Sequence, residues 1–280
     1  MTMQPSDASN RGPFEQASSD RRSHTAGESI PLLRVAGGVA TITLCRPAHR
    51  NRLHAKDLSA LLGHFRNIAA EESVQAVVLT GMVSSHPPVF CAGYHMQEHG
   101  MEADGAGFEE VAQALEDLRP VTLCALNGSV YGGAADLVLA CDFAIGVTGI
   151  QMRMPAAAIG MHIYPGAVSR FVSRIGLANA KRAFLAAETF GAGDLLAMGY
   201  VQKLVAPDEL EGAVHARINE VLTLAPRAVQ MLKASLNEVA RGDFDASRLS
   251  ARHEQSKQAA DFAEARLAFN EHRKPVFKGL

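Results

Sequence analysis

Residues 121–142, with the sequence VTLCALNGSVYGGAADLVLACD, decide the fold of this chain. The segment begins with the apolar run VTLCAL, which predicts a strand buried on both faces. Small residues then lead to the pair Gly132 and Gly133, and a helix is predicted over residues 132–140. A buried strand that ends in glycines at a helix start is typical of open α/β sheets, which bind ligands at the carboxyl ends of their strands.

The same alternation of strands and helices extends on both sides of this segment. Gly37 and Gly38 join two β-rich runs and predict a hairpin. Strands are expected at residues 31–36, 39–45, 75–80, 89–93, 121–126 and 143–146, and helices at 55–70 and 108–118. The alternation predicts an α/β core with largely parallel strand pairing.

Beyond residue 166 the pattern becomes helical. Helices are predicted at residues 167–174, 178–188, 192–198, 209–222, 227–241 and 248–269, with one short strand at 201–205. The helix at 227–241 has an apolar stripe of Val229, Leu232, Leu236 and Val239. We therefore divide the chain into an N-terminal tail (1–28), an α/β core (29–205) and a helical C-terminal region (206–280).

Composition excludes several classes of protein. Residues 1–28 are nearly free of aliphatic side chains, which predicts a disordered tail, and they contain no apolar segment of a secretory signal. The net charge of -2 argues against nucleic acid as a partner. No apolar stretch is long enough to span a membrane. The four cysteines lack disulfide or metal spacing, so we expect free thiols and a cytoplasmic protein.

Two strand-to-helix junctions could carry chemistry. They are residues 89–94 (VFCAGY) and 127–136 (NGSVYGGAAD), each with small residues at the end of a strand. Glycine lets the backbone approach a ligand closely, and one free N–H group from each junction would form an oxyanion hole. The alternative is that the glycine pair only permits tight packing of the helix on the sheet, and spacing alone does not decide between the two.

Other kinds of site find little support. The sequence contains no GxGxxG or GxxxxGK[ST] motif, which argues against dinucleotide and P-loop sites. The histidines are not spaced as metal ligands, so neither a metal nor another cofactor is expected. Arg170 and Arg174 are interpreted as part of an exposed or subunit-contacting helix face rather than as a phosphate site.

Taken together and in order, several segments resemble the crotonase (enoyl-CoA hydratase/isomerase) superfamily. They are RP at 46–47, NRL at 51–53, FCAGY at 90–94, the segment from 127 to 142, G160 with PG at 165–166, and AFNEHRKPVFKG at 268–279. The resemblance covers the chain from about residue 30 to its end. Each segment alone is only weakly specific for the family, but the segments together are specific.

The resemblance implies a spiral of ββα units followed by a helical trimerisation region, assembled as a homotrimer or a dimer of trimers. It also implies an enzyme of fatty acid metabolism whose substrate is an acyl-CoA thioester. The thioester oxygen would accept hydrogen bonds from the backbone N–H groups of Tyr94 and Gly133, which would stabilise an enolate. Residues expected to contact the substrate are His49, Asn51, Arg52, Ala92, His95, Met96, Gly132, Pro155, Ala156, Met161, Phe269 and Lys274.

The sequence departs from the family at the two positions where hydratases carry glutamates. The first is Asp136, one methylene shorter, and the second is Ala156, which cannot transfer a proton. A hydration mechanism with two glutamates is therefore not expected. His162 and Tyr164 stand in the loop that borders the acyl pocket in the family and are candidate replacement acids or bases.

Three interpretations remain open. Asp136 could act alone as the proton-transfer group of a hydratase or isomerase. The chain could instead decarboxylate a malonyl-type CoA ester, because GSVYGGA at 128–134 is also similar to methylmalonyl-CoA decarboxylases and loss of CO2 produces an enolate directly. Finally, it could bind CoA esters without turning them over.

Overall fold

A computed structural model describes residues 30–84, 86–95 and 107–279. The predicted tail at 1–28 and the predicted substrate-contacting residue Met96 lie outside the described residues. The elements that follow are numbered in chain order.

The chain begins with the predicted hairpin. Strand β1 (Leu32–Ala36) pairs antiparallel with β2 (Val39–Leu44), and Ala36 lies opposite Val39. Gly37 and Gly38 have φ angles of 57° and 77°, the left-handed region that a tight two-residue turn requires. After a 3-10 turn (Pro47–His49), helix α1 (Ala55–Ala70) covers the sheet with Leu58, Leu61 and Phe65.

Most of the predicted elements lie within a few residues of their expected positions. The remaining strands are β3 (Ala76–Gly81), β4 (Val89–Cys91), β5 (Val121–Leu126), β6 (Ser129–Tyr131), β7 (Phe143–Val147), β8 (Gln151–Arg153), β9 (Thr189–Gly191) and β10 (Lys203–Val205). The remaining α-helices are α2 (Phe108–Glu116), α3 (Ala134–Ala140), α4 (Pro165–Leu185), α5 (Ala192–Ala197), α6 (Leu210–Leu222), α7 (Pro226–Arg241), α8 (Ala246–Gln258) and α9 (Ala260–Asn270). Short 3-10 turns occur at Ala157–Ile159 and Pro207–Glu209.

The strands form two sheets. The larger has the order β1-β2-β3-β5-β7-β10 and is parallel except for the β1–β2 hairpin. The smaller has the order β4-β6-β8-β9, in which β4, β6 and β8 are parallel. The chain crosses from the large sheet to the small one between β5 and β6. The three-residue strands β6, β8 and β9 were not predicted, because so short a segment shows no periodicity.

One predicted helix break has a clear backbone cause, and one helix boundary was not predicted. The predicted break between residues 174 and 178 lies within α4 at Gly176, whose φ of 79° and ψ of 154° interrupt the helix. The single helix predicted at 248–269 is wrong, because Ala259 is extended (φ -67°, ψ 143°) and separates α8 from α9. The surrounding residues are ordinary helix formers, so the sequence does not indicate this boundary.

Helix α7 packs on the core with its polar face. Lys233 and Asn237 are both 8% exposed, and Lys233 Nζ lies 2.7 Å from Asp142 and donates to the carbonyl of Pro120. Leu232 and Leu236, from the predicted apolar stripe, are 62% and 67% exposed. The stripe therefore points away from the core of its own chain. Within the described ranges no helix combines the length and apolarity needed to cross a bilayer.

Candidate active site

The fold brings the two glycine-containing junctions into contact. Strands β4 and β6 are parallel neighbours, so Gly93 and Gly132 follow adjacent strand ends. Gly93 has a φ of 90°, and a methyl group built on it would lie 2.8 Å from the carbonyl oxygen of Tyr131. Because only glycine permits both this φ and this approach, the two junctions can meet as the sequence predicts.

The backbone hydrogen bonds at these junctions bear on the proposed donors. Gly132 donates to the carbonyl of Arg153, but in the part of the chain that the structure describes the N–H of Gly133 has no acceptor. On the other side, Leu53 donates to the carbonyl of Gly93, and His95 donates to that of Leu53. These bonds hold Tyr94 between two paired residues. The packing explanation for the glycines holds as well, because a methyl group on Gly133 would lie 3.0 Å from the ring of Phe108.

Asp136 lies in the first turn of α3 and is completely buried. Its Oδ1 accepts from Nε of Arg170 at 2.9 Å, and its Oδ2 accepts from Nη2 of Arg170 at 2.7 Å. The hydroxyl of Tyr164 also donates to Oδ2, at 2.7 Å. Neither oxygen is open to a ligand in this arrangement. The predicted direct proton transfer from Asp136 would therefore require Tyr164 or Arg170 to move.

Arg170 is only 2% exposed, so the interpretation of this residue as part of an exposed helix face is wrong. Its Nη1 also lies 3.2 Å from Glu116, whose carboxylate is in turn 3.2 Å from Arg241. Arg241 reaches Asp117 at 2.7 Å. A chain of ion pairs thus extends from α3 through α4 and α2 to α7. Charged groups enter the interior in this way when they are paired.

This network changes the acidity of its members. Burial, together with the adjacent charge of Asp136, raises the pKa of the Tyr164 hydroxyl, so the phenol stays protonated. Burial works to lower the pKa of Arg170, but the hydrogen bonds and charges of Asp136 and Glu116 outweigh it and raise that pKa. Tyr164 and Arg170 therefore both act as hydrogen-bond donors toward Asp136.

The second family position carries no acid. Ala156 is 4% exposed, and the loop after Pro155 contains the 3-10 turn Ala157–Ile159. His162 is exposed, and its Nδ1 lies 2.6 Å from the carbonyl oxygen of Ile163. Since a carbonyl can only accept, Nδ1 carries the proton in the neutral ring and Nε2 is left as the basic nitrogen.

Comparisons with known proteins agree with this geometry. The sequence model of the enoyl-CoA hydratase/isomerase family matches residues 34–280. The chain belongs to this family. A short-chain-enoyl-CoA hydratase of Clostridium acetobutylicum is 28% identical over 76% of this chain and 83% of its own length. A crotonyl-CoA hydratase of Syntrophomonas wolfei is 26% identical over 74% of this chain and 81% of its own.

The crystal structure of an enoyl-CoA hydratase from Mycobacterium smegmatis has the same fold. It superposes with a TM-score of 0.78 at 25% identity and covers 89% of this chain and 99% of that one. The prediction of a crotonase fold is therefore confirmed. The family acts on acyl-CoA thioesters, and the chain is a member of it.

The loop that was expected to contact CoA is braced by Asn51. This residue is 1% exposed, its Oδ1 accepts from the N–H of Arg46, and its Nδ2 donates to the carbonyls of Met82 and Phe90. The hydrogen-bonding groups of the Asn51 side chain therefore hold the loop itself, and a contact between Asn51 and the substrate stays a prediction.

The other residues of this region are more accessible. His49 is exposed, whereas Arg52 and Ala92 are half-buried. The ring of His95 lies 4.6 Å from that of His54, so two histidines flank the backbone bridge at Tyr94. Met161 and Pro155 are half-buried near Ala156.

The C-terminal family motif folds back on α9. Asp261 accepts from the backbone N–H groups of Lys278 and Gly279, and Glu264 pairs with Arg273 at 2.6 Å. Phe269 is 80% exposed, and Lys274 is exposed. Among the described residues, no hydrogen bond or ion pair joins Phe269 or Lys274 to Asp136 and its partners. Both side chains therefore lie on the surface of the single chain, and their contact with the substrate stays a prediction.

Two residues of α2 were missed by sequence reasoning. The ring of Phe108 lies against Gly133, and Oε1 of Glu109 accepts from the N–H of Gly166 at 3.1 Å. Neither residue belongs to a motif. The sequence GFEE at the start of the helix does not indicate which distant residues the helix will contact. Within the described ranges, no group of three or more His, Cys, Asp or Glu side chains could hold a metal ion.

Proposed function

We propose that this chain polarises the thioester carbonyl of an enoyl-CoA through the N–H groups of Tyr94 and Gly133. The observation that carries the proposal is the N–H of Gly133, which has no acceptor among the described residues and lies where Gly93 meets the backbone of Tyr131. Two donors aimed at a developing oxyanion would stabilise the enolate form of the substrate. The curated relatives named as enoyl-CoA hydratases support an enoyl-CoA as the ligand.

We further propose that the reaction does not use two carboxylates to add water. Ala156 replaces one acid, and Asp136 is occupied by Arg170 and Tyr164. A double-bond shift needs only one group that removes and returns a proton, so isomerisation fits this site better than hydration. Nε2 of His162 is a candidate for that group because Nδ1 is engaged by the backbone.

In this proposal Asp136 is a positioning residue. It fixes the hydroxyl of Tyr164 through a 2.7 Å hydrogen bond, and its own orientation is fixed by both nitrogens of Arg170. A rigid wall of this kind holds an acyl group in one orientation, which lowers the entropic part of the barrier.

Gly133→Pro tests the oxyanion hole, with Gly133→Ala as the matched control. The φ of Gly133 is -54°, which the proline ring accepts, and the substitution removes the N–H. Alanine adds the same Cβ against Phe108 but keeps the donor. We expect Gly133→Pro to lower kcat by about 100- to 1,000-fold relative to Gly133→Ala. Equal activity of the two variants would overturn the proposal.

The reaction itself is tested with three substrates. We expect turnover of a 3-enoyl-CoA to the conjugated 2-enoyl-CoA to exceed hydration of crotonyl-CoA and release of CO2 from methylmalonyl-CoA. Faster hydration would contradict the single-group mechanism, and faster CO2 release would assign decarboxylation instead. Binding of CoA esters without turnover of any of the three substrates would support the interpretation that the chain is a non-catalytic binding protein.

We also propose that the chain associates with further copies of itself as a homotrimer or a dimer of trimers. Helix α7 buries polar Lys233 and Asn237 while Leu232, Leu236 and Val239 are at least half exposed. Leu177 and Leu185 of α4 are likewise 56% and 75% exposed. Several large apolar side chains exposed on two helices are typical of an association surface.

A further inference from the structure

The ring of Phe108 lies directly beside the proposed oxyanion donor. A methyl group built on Gly133 would meet Cε1 and Cζ of Phe108 at 3.0 Å and Cδ1 at 3.3 Å. One edge of the ring therefore rests on Gly133, the residue whose N–H is left without an acceptor. An acyl group whose carbonyl oxygen is bound by that N–H would therefore lie close to this ring.

Two tyrosines complete an aromatic wall around Phe108. The ring of Tyr94 stands edge-on to Phe108 with centroids 6.4 Å apart and an interplanar angle of 79°. The rings of Tyr164 and Phe108 have centroids 6.4 Å apart and an interplanar angle of 31°. Because Tyr94 and Gly133 are the two proposed donors, the wall lies beside the proposed position of the thioester.

The wall is held in place from behind. The hydroxyl of Tyr164 is bonded to Asp136, and Asp136 is bonded twice to Arg170. Phe108 is anchored by α2, whose residues Val111 and Leu115 are buried in the core. A long chain cannot displace Tyr164 without breaking a buried hydrogen bond, which costs the desolvation of its partner.

The chemistry of the wall also selects against charge. Arg170 is the cation that acts on Tyr164. Its guanidinium donates to Asp136 and Glu116. A carboxylate on the acyl group would be brought among aromatic rings without a free cation of the Asp136 network to pair with it, which is unfavourable.

We infer that Phe108 sets the substrate class of this chain, which is CoA thioesters with a compact, uncharged acyl group. The inference rests on the proposed function, since it assumes that the thioester lies at Tyr94 and Gly133. Phe108 is then a specificity-determining residue that limits acyl length, and Tyr94 and Tyr164 hold its ring in position.

Calorimetric binding of saturated acyl-CoAs tests the inference without requiring turnover. We expect the full-length protein to bind butyryl-CoA at least tenfold more tightly than decanoyl-CoA, and methylmalonyl-CoA more weakly than butyryl-CoA. Phe108→Ala should remove most of the preference for the short chain, and Phe108→Leu should reduce it partly. Phe244→Ala, which truncates a phenylalanine that is 55% exposed, is the control and should keep the preference.

The outcomes separate the inference from the proposed function. If the unmodified protein binds butyryl-CoA and decanoyl-CoA, but Phe108→Ala and Phe108→Leu leave their affinity ratio unchanged, the inference about Phe108 is overturned alone. Tighter binding of methylmalonyl-CoA than of butyryl-CoA would overturn the selection against charge. If the unmodified protein binds none of the three thioesters, the proposed function fails and the inference fails with it.

Discussion

Replacing Asp136 with Asn removes one charge from a buried ion pair without changing the size of the side chain. Asp136 is fully buried, Arg170 is 2% exposed, and two hydrogen bonds of 2.9 and 2.7 Å join them. Removing one partner of a buried pair typically costs about 3–5 kcal/mol because the other charge is left uncompensated. Arg170 keeps Glu116 at 3.2 Å, so we expect the lower end, about 3 kcal/mol.

The loss can be measured by thermal unfolding. For a domain of this size, about 3 kcal/mol corresponds to a midpoint lowered by roughly 6–12 °C. All variants are compared at one protein concentration, since association with other copies would also stabilise the fold. The control is Glu188→Gln, which breaks the pair between Arg182 and Glu188, both well exposed, and should leave the midpoint nearly unchanged. An Asp136→Asn midpoint equal to that of the control would refute the reasoning.

The same variant distinguishes positioning from direct proton transfer. If Asp136 positions Tyr164, we expect the variant to have a reduced kcat even at temperatures well below its unfolding midpoint. Its pH–rate profile should keep the shape of the profile of the unmodified enzyme. Disappearance of one limb of that profile would assign the proton transfer to Asp136 itself.

Three other changes follow from particular contacts. Gly93→Ala should separate the two junctions, because its methyl group would meet the carbonyl oxygen of Tyr131 at 2.8 Å; we expect a loss of at least tenfold in kcat/KM, and full activity would contradict the geometry. Leu236→Glu should convert the assembly to single chains in sedimentation experiments, and an unchanged mass would exclude this face of α7 as the interface. The four buried cysteines should resist a thiol reagent at pH 8 until the protein is unfolded, because burial raises the pKa of Cys91 and of Cys141 to about 12; rapid labelling of the native protein would disprove this.

Elements defined by local patterns could be predicted from the sequence. Helix α1 repeats apolar residues at helical spacing, and β5 is a mostly apolar run, so both were predicted at their observed limits. The β1–β2 hairpin followed from its two glycines. In each case the signal lies within a few residues of the element, where backbone preference and side-chain period act directly.

The site was only partly predictable for the same reason. The glycines at 93 and 132–133 mark positions where two backbone segments can approach each other. The sequence also shows directly that Asp136 and Ala156 stand where the family's hydratases carry glutamates. The sequence does not show that Arg170 is the partner of Asp136. Arg170 lies 34 positions further along the chain, and in the sequence it is one of several charged residues on a predicted helix. The contact of Phe108 with Gly133 is equally invisible, because no spacing rule relates a helix start to a distant turn.

The sequence by itself determined most of the longer strands and helices, that their order is α/β followed by helices, and that two glycine-containing turns follow predicted strands. Only the tertiary structure decided that α7 turns its polar face inward, that Arg170 neutralises Asp136, and that Phe108 stands beside Gly133. The physical reason is that local structure depends on interactions within a turn or a strand, whereas these contacts depend on how rigid elements pack. Pairing a buried charge and filling the space beside a glycine are conditions that only the assembled core imposes.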